Sequence, residues 1–138
     1  MDISPAVPND LSAPLDALFG PVRKQSHTAP DWQRIACEKA ARHSVCLITG
    51  GPGTGKTTTV VRLLALLLGL HTNPTGEAPL RIHLAAPTGK ASARLAESMR
   101  QAIGRLPEAW RLGLPETAAT LHRLLVDQAQ TWSVDVLV

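Results

Sequence analysis

Hydrophobic positions divide this chain into short apolar runs and longer stretches of helical period. Val45-Cys46-Leu47-Ile48-Thr49 is short, mostly apolar and β-branched in part, the pattern of a strand buried in a parallel sheet. From Thr57 to Leu70, residues Val60, Val61, Leu63, Leu64, Leu67 and Leu68 predict a helix, because the stretch is too long and too leucine-rich for a strand. Leu80 to Ala86 alternates and ends apolar, predicting a second strand. A helix then runs from about Lys90, with Ala91, Leu95, Met99, Ala102 and Leu106 as its apolar stripe and Lys90, Arg94, Glu97, Gln101 and Arg105 as its polar one. Pro107 ends it, and Leu106 to Glu116 reads as irregular, anchored by Trp110. Thr117 or Thr120 caps a helix carrying Leu121, Leu124 and Leu125, and Ser133 to Val138 begins a third strand. Strand, helix, strand is a right-handed βαβ unit with parallel strands, so the fold class is α/β and ligands are expected at the carboxyl ends of the strands.

Residues 1–30 hold five prolines and few large apolar residues beyond Leu11, Leu15, Leu18 and Phe19. They read as a loosely held arm with one short helix between Leu11 and Phe19. Thr28, three residues before Asp31, has capping-box spacing and opens a helix to about His43, with Trp32, Ile35, Ala36 and Ala40 facing the core.

The chemistry concentrates between the first predicted strand and the helix after it. Gly50-Gly51-Pro52-Gly53-Thr54-Gly55-Lys56-Thr57 has the form G-x-x-x-x-G-K-[ST], followed by Thr58. Glycines let the backbone curl so that its N–H groups converge on phosphate, and the start of the following helix adds partial positive charge. Lys56 is placed to reach the β and γ phosphates, and Thr57 to put its hydroxyl on Mg2+. These two are the candidate catalytic residues, and the loop from Gly50 to Thr58 is the candidate nucleotide site. Gln33, ahead of the loop, offers a donor and an acceptor that could pair with adenine's N7 and N6 edge, or it is an ordinary exposed glutamine. Pro87-Thr88-Gly89-Lys90 follows the second strand, where a helix start with a hydroxyl and an ammonium suits a phosphate.

Composition adds limits: 138 residues, 44% hydrophobic and 18% charged, describe one globular domain. Val60 to Leu70 contains Arg62 and is too short to span a bilayer, and no basic start precedes an apolar run near Met1, so no membrane association is expected and the location is cytoplasmic. Cys37 and Cys46 lack metal-like spacing and read as reduced packing residues in apolar surroundings. Net charge is +3, but Arg81 to Arg123 carries seven Lys and Arg against three Glu, a bias compatible with a polyanionic partner or with a solvated face.

Asp31-Trp32-Gln33, Gly50 to Thr59, Leu84 to Leu95 and Thr120 to Leu125, in that order, together resemble the RecD family, the alpha subunits of exodeoxyribonuclease V, which are superfamily 1 DNA helicases. The resemblance covers about Asp31 to Val138. It implies a P-loop NTPase with a partial RecA-like parallel sheet flanked by helices in residues 31–138, behind the proline-rich arm of residues 1–30. It implies ATP and Mg2+ as cofactors, Gln33 as the adenine reader, and a 5'-to-3' DNA helicase role in recombination and double-strand break repair. Thr88, Gly89 and Lys90 would contact single-stranded DNA, with Thr120 and His122 near the same strand, and the partners would be the beta and gamma subunits.

The departures from that family are also plain. P-loop NTPases hold magnesium with an acid closing another apolar strand, and Val136-Leu137-Val138 lacks one, with Asp135 misplaced before it. The second RecA-like domain with its arginine finger, and the domain that docks on the gamma subunit, do not fit in this chain. The expectation is a sheet truncated at the third strand that binds ATP without efficient hydrolysis. The alternative is a non-catalytic nucleotide or single-stranded-DNA-binding module. A small-molecule kinase would share the loop but leave Pro87 to Lys90 and Thr120 to Leu125 unexplained.

Overall fold

The computed structural model describes residues 7–20, 31–51, 53, 55–71, 80–127 and 136–138. They fall into two compact units, Met1–Leu70 and His71–Val138.

The first unit is helical among its described residues. Helix α1 (Ser12–Phe19) buries Leu15 and Leu18, and Leu11 just before it is buried as well. The i, i+4, i+7 spacing of these leucines puts them on one face, and each such burial is worth about 2 kcal/mol. The described part of the proline-rich arm is therefore fastened rather than loose. Arg34 of helix α2 (Trp32–Ala41) pairs with Asp16 at 2.7 Å and donates to the Gly20 carbonyl at 3.1 Å. Arg42 donates to the carbonyls of Pro8 and Asn9 at 3.3 and 3.0 Å. Asp31 is the cap of α2, accepting from Arg34 N–H at 3.2 Å, while Thr28 lies outside the described residues. The core face of α2 is Cys37, Ala40 and Ala41, and Trp32 is 69% exposed instead of facing the core. Helix α3 (Lys56–His71) buries Thr59, Val61 and Leu64 to Leu68, matching the predicted helix.

The expected strand at Val45 to Thr49 is not formed. The stretch has no regular structure, and Val45 and Leu47 are 89% and 86% exposed. β-Branched and apolar side chains favour extended backbone, but a strand exists only where a neighbouring strand takes its N–H and C=O groups. Cys46 is exposed with it, against the packing role expected, whereas Cys37 is fully buried.

The second unit is built on a parallel sheet. Strand β1 (Ile82–Ala86) lies between β2 (Ala118–Thr120) and β3 (Val136–Leu137). In register, Ala86 stands beside Thr120 and Ile82 beside Val136. Val138 continues the β3 ladder, its N–H donating to His83 O at 2.9 Å and its carbonyl accepting from Ala85 N–H at 2.8 Å. Asp135 lies outside the described residues.

Helix α4 (Gly89–Gly104) packs on β1 and β2 through Ser92, Ala96, Met99, Ala102 and Ile103. The buried stripe is thus displaced from the predicted one at its start, where Ala91 and Leu95 are half-buried. Small residues at 92 and 96 let the helix approach the sheet closely, which the bulk of Leu95 would prevent. Past Pro107, a short 3-10 turn (Glu108–Trp110) leads towards β2. The connection is anchored by buried Leu106 and Leu114, and by Arg111 donating to the carbonyls of Leu106 and Gly104 at 2.8 and 3.0 Å. Trp110, the expected anchor, is only half-buried. Helix α5 (Leu121–Asp127) buries Leu124, but Leu121 and Leu125 are 42% and 53% exposed, since seven residues give one inward-facing turn.

Candidate functional site

The glycine loop in the first unit runs directly into α3, which begins at Lys56. Gly53 and Gly55 have φ of +75° and +80°, left-handed values that a residue with a Cβ adopts only at a cost of about 1–2 kcal/mol. At Gly55 a Cβ would also meet Nε2 at the tip of the Gln33 side chain, which would have to swing aside, whereas Gly53 has open space around it. Gln33 is half-buried in the first turn of α2, so the structure brings this glutamine against the glycine loop.

The carbonyl of Gly55 accepts from both N–H and Oγ1 of Thr59, each at 2.9 Å, and Cys37 Sγ donates to Thr59 O at 3.3 Å. Burial pushes the Cys37 thiol up to about 12, only partly offset by the nearby Arg62 charge, so it sits there as a protonated donor. Lys56 is exposed, and its ammonium donates to the carbonyls of Gly50 and Gly51, the latter at 3.1 Å. To bind a phosphate, the ammonium must exchange these carbonyls for anionic oxygens, which are stronger acceptors. Gly50 and Gly51 are exposed, Thr57 and Thr58 are half-buried in the first turn of α3, and Pro52 and Thr54 lie outside the described residues.

Two left-handed glycines and the N-terminus of a sixteen-residue helix behind them are features that suit a phosphate chain. For Mg2+ this unit offers the Thr57 hydroxyl, and among the described residues no group of His, Cys, Asp and Glu is arranged to hold a metal. Such a donor set suits a magnesium carried largely by phosphate oxygens and water.

Sequence reasoning passed over Arg62. It projects from α3 with Nη1 donating to Gln33 Oε1 at 3.3 Å, and its guanidinium lies 4.6 Å from the centre of the Phe19 ring. Its signal in the sequence was a single cation inside a leucine-rich helical run.

The other polar candidates belong to the second unit. Thr88 caps α4, its Oγ1 accepting from Ala91 N–H at 3.2 Å, and Gly89 and Lys90 are exposed where that helix opens. Thr120 ends β2, and its Oγ1 accepts from Arg123 N–H at 3.2 Å, with His122 exposed one residue into α5. Because Ala86 and Thr120 are register partners, the Thr88 and Thr120 turns leave the sheet side by side at its carboxyl edge. Farther along α4, Arg94, Gln101 and Arg105 are exposed, and Glu97 is engaged by Gln101 at 3.0 Å and Arg100 at 3.4 Å. Among the described residues, no helix is long and apolar enough to cross a membrane.

A family profile described as an AAA domain matches residues 33–136, from Gln33 through the first residue of β3. The RecBCD enzyme subunit RecD of Mycobacterium tuberculosis is 51% identical over 105 residues, 75% of this chain and 18% of that protein. The same subunit of Haemophilus influenzae is 45% identical over 108 residues, covering 74% and 16%. The ATP-dependent RecD2 DNA helicase of Deinococcus radiodurans is 40% identical over 95 residues, covering 67% and 10%. The chain thus spans less than a fifth of the length of these relatives. A glycine loop opening a helix, a parallel sheet flanked by helices and these matches agree that the chain belongs to the AAA-domain P-loop NTPases and, among them, is RecD-like.

Proposed function

We propose that residues 31–138 are the ATP-binding part of an ATP-dependent 5'-to-3' DNA helicase subunit of the exodeoxyribonuclease V type, acting in recombination and double-strand break repair. The observation that supports this reading is that Gln33 lies against Gly55, so an amide able to pair with a base edge stands beside the glycine loop. ATP would supply the free energy of phosphoryl transfer. Backbone N–H groups from Gly50 to Gly55 would line its phosphates, with Pro52 contributing only shape. Lys56 would neutralise charge on the β and γ phosphates, Thr57 would hold Mg2+, and Thr58 would extend the donors of the helix start. Thr88, Gly89, Lys90, Thr120 and His122, gathered at one sheet edge, would bind the backbone of single-stranded DNA. The cytoplasm is the proposed location, and beta- and gamma-type subunits the proposed partners.

Efficient hydrolysis additionally needs a carboxylate that holds magnesium and an arginine finger, so this chain by itself is proposed to bind ATP and turn it over negligibly. Fluorescent ATP titration should give saturable binding that Lys56→Ala weakens by more than about tenfold. Unchanged affinity in that variant would sink the assignment of the loop. Steady DNA-stimulated phosphate release by the wild-type chain would show that catalysis is complete without further residues.

A further inference from the structure

A glutamine reads a base only if its amide cannot turn over. Rotation by 180° exchanges donor and acceptor with almost no change in shape. Gln33 is held against that rotation by Arg62, whose Nη1 donates to its Oε1 at 3.3 Å. Chemistry dictates which end faces the arginine, because a guanidinium has only donors and accepts nothing. Oxygen must therefore face Arg62, which leaves Nε2 against Gly55.

Arg62 is in turn held from a third element, its guanidinium lying 4.6 Å from the Phe19 ring centre of α1. Its Nε is buried and makes no hydrogen bond among the described residues. A side chain kept only for packing would gain by losing that stranded donor, as leucine or methionine would at the same place.

We propose that Arg62 is a positioning residue that sets nucleobase selectivity through Gln33, a proposal resting on the reading of Gln33 as the base contact. Adenine presents an acceptor at N7 and a donor at N6, matching an amide whose nitrogen and oxygen are both fixed. Guanine presents two acceptors, N7 and O6, so a fixed oxygen meets O6 and repels it. Oε1 has a second lone pair, so holding Arg62 does not prevent it from accepting from N6. Phe19 acts one step further out, by keeping the guanidinium from swinging to solvent.

The test uses the whole 138-residue chain and ribose-labelled fluorescent ATP and GTP, which leave the base edge free. Wild type should prefer ATP. Arg62→Met should weaken ATP by about tenfold, the size of one lost oriented hydrogen bond, and GTP far less, so the preference shrinks. Arg62→Lys, which restores a donor without the fork, should recover part of it. Competition by inorganic tripolyphosphate should be the same in all three, since the loop is untouched. If Gln33→Ala loses the preference and Arg62→Met keeps it, positioning by Arg62 is refuted while the base contact stands. If neither variant alters the preference, or wild type shows none, the reading of Gln33 fails and this proposal with it. Should Arg62→Met not fold by circular dichroism, Phe19→Leu decides: a smaller loss of preference in the same direction supports the relay, and no loss overturns it.

Discussion

In Met1–Leu70 the phosphate-loop residues are supported by helices and side chains, whereas in His71–Val138 the polar candidates are carried by paired strands. Gly55, Gln33, Thr59 and Cys37 are held by a few individual contacts between α2, α3 and the loop. Thr88 and Thr120 instead inherit their positions from a backbone register, Ala86 beside Thr120, which β1 and β2 set over several residues. Register is cooperative, so one lost contact shifts nothing, while a set of single contacts fails at its weakest member. Damage to either region should therefore look different.

The largest effect expected is on stability, from Leu84→Ala. Leu84 is 2% exposed in the central strand, and the cavity should cost about 3 kcal/mol, measurable as a lower urea midpoint. A loss below about 1 kcal/mol would mean that the sheet does not organise its unit. In the loop, Gly55→Ala should cost about 1–2 kcal/mol through its left-handed φ and remove ATP binding by also displacing the Gln33 amide that its Cβ would meet. Gly53→Ala carries only the φ cost and should weaken binding less, so equal effects at both glycines would discard Gln33 as the cause.

The Cys37 contact should answer to pH instead of to ligand. The folded thiol holds its proton up to about 12, while the unfolded one releases it near its ordinary value of 9.0. Between these values the unfolded chain binds fewer protons, so stability falls as pH rises, with a slope of up to about 1.4 kcal/mol per pH unit, and is unaffected below pH 8. Urea midpoints measured from pH 8 to 11 should show this decline in wild type beyond that in Cys37→Ala. Identical profiles would remove the thiol from the account. The smallest effect is Thr88→Ala, which takes one cap from α4 and should cost about 1 kcal/mol. Single-stranded DNA affinity should fall only modestly, and a collapse of binding would show that the hydroxyl itself grips a phosphate.

Much of the framework was legible because it rests on near-neighbour rules. The helices over 56–71 and 89–104, the strand over 82–86 and the cap at Thr120 follow from period, length and capping chemistry. The need for glycine at 53 and 55 was readable in kind from the loop pattern, and the left-handed φ values bear it out. Val45 to Thr49 misled because a strand pattern reports propensity, while a strand requires a partner elsewhere in the chain. Trp32 and Trp110 misled for a related reason: size and hydrophobicity reward burial but do not create the space for it.

The sequence by itself determined which residues are candidates for chemistry: a glycine loop of the P-loop form, an amide ahead of it, and hydroxyl-bearing turns after two strands. It could do so because those functions need particular atoms at short spacings along one chain. Tertiary structure alone decided which of them meet. Gln33 and Gly55 are twenty-two residues apart, and Phe19, Gln33 and Arg62 come from three helices, so their contacts depend on packing angles that no local pattern encodes. Arg62 shows the difference most clearly, since the sequence offers only a lone cation in a leucine-rich helix and the fold turns it toward the glutamine.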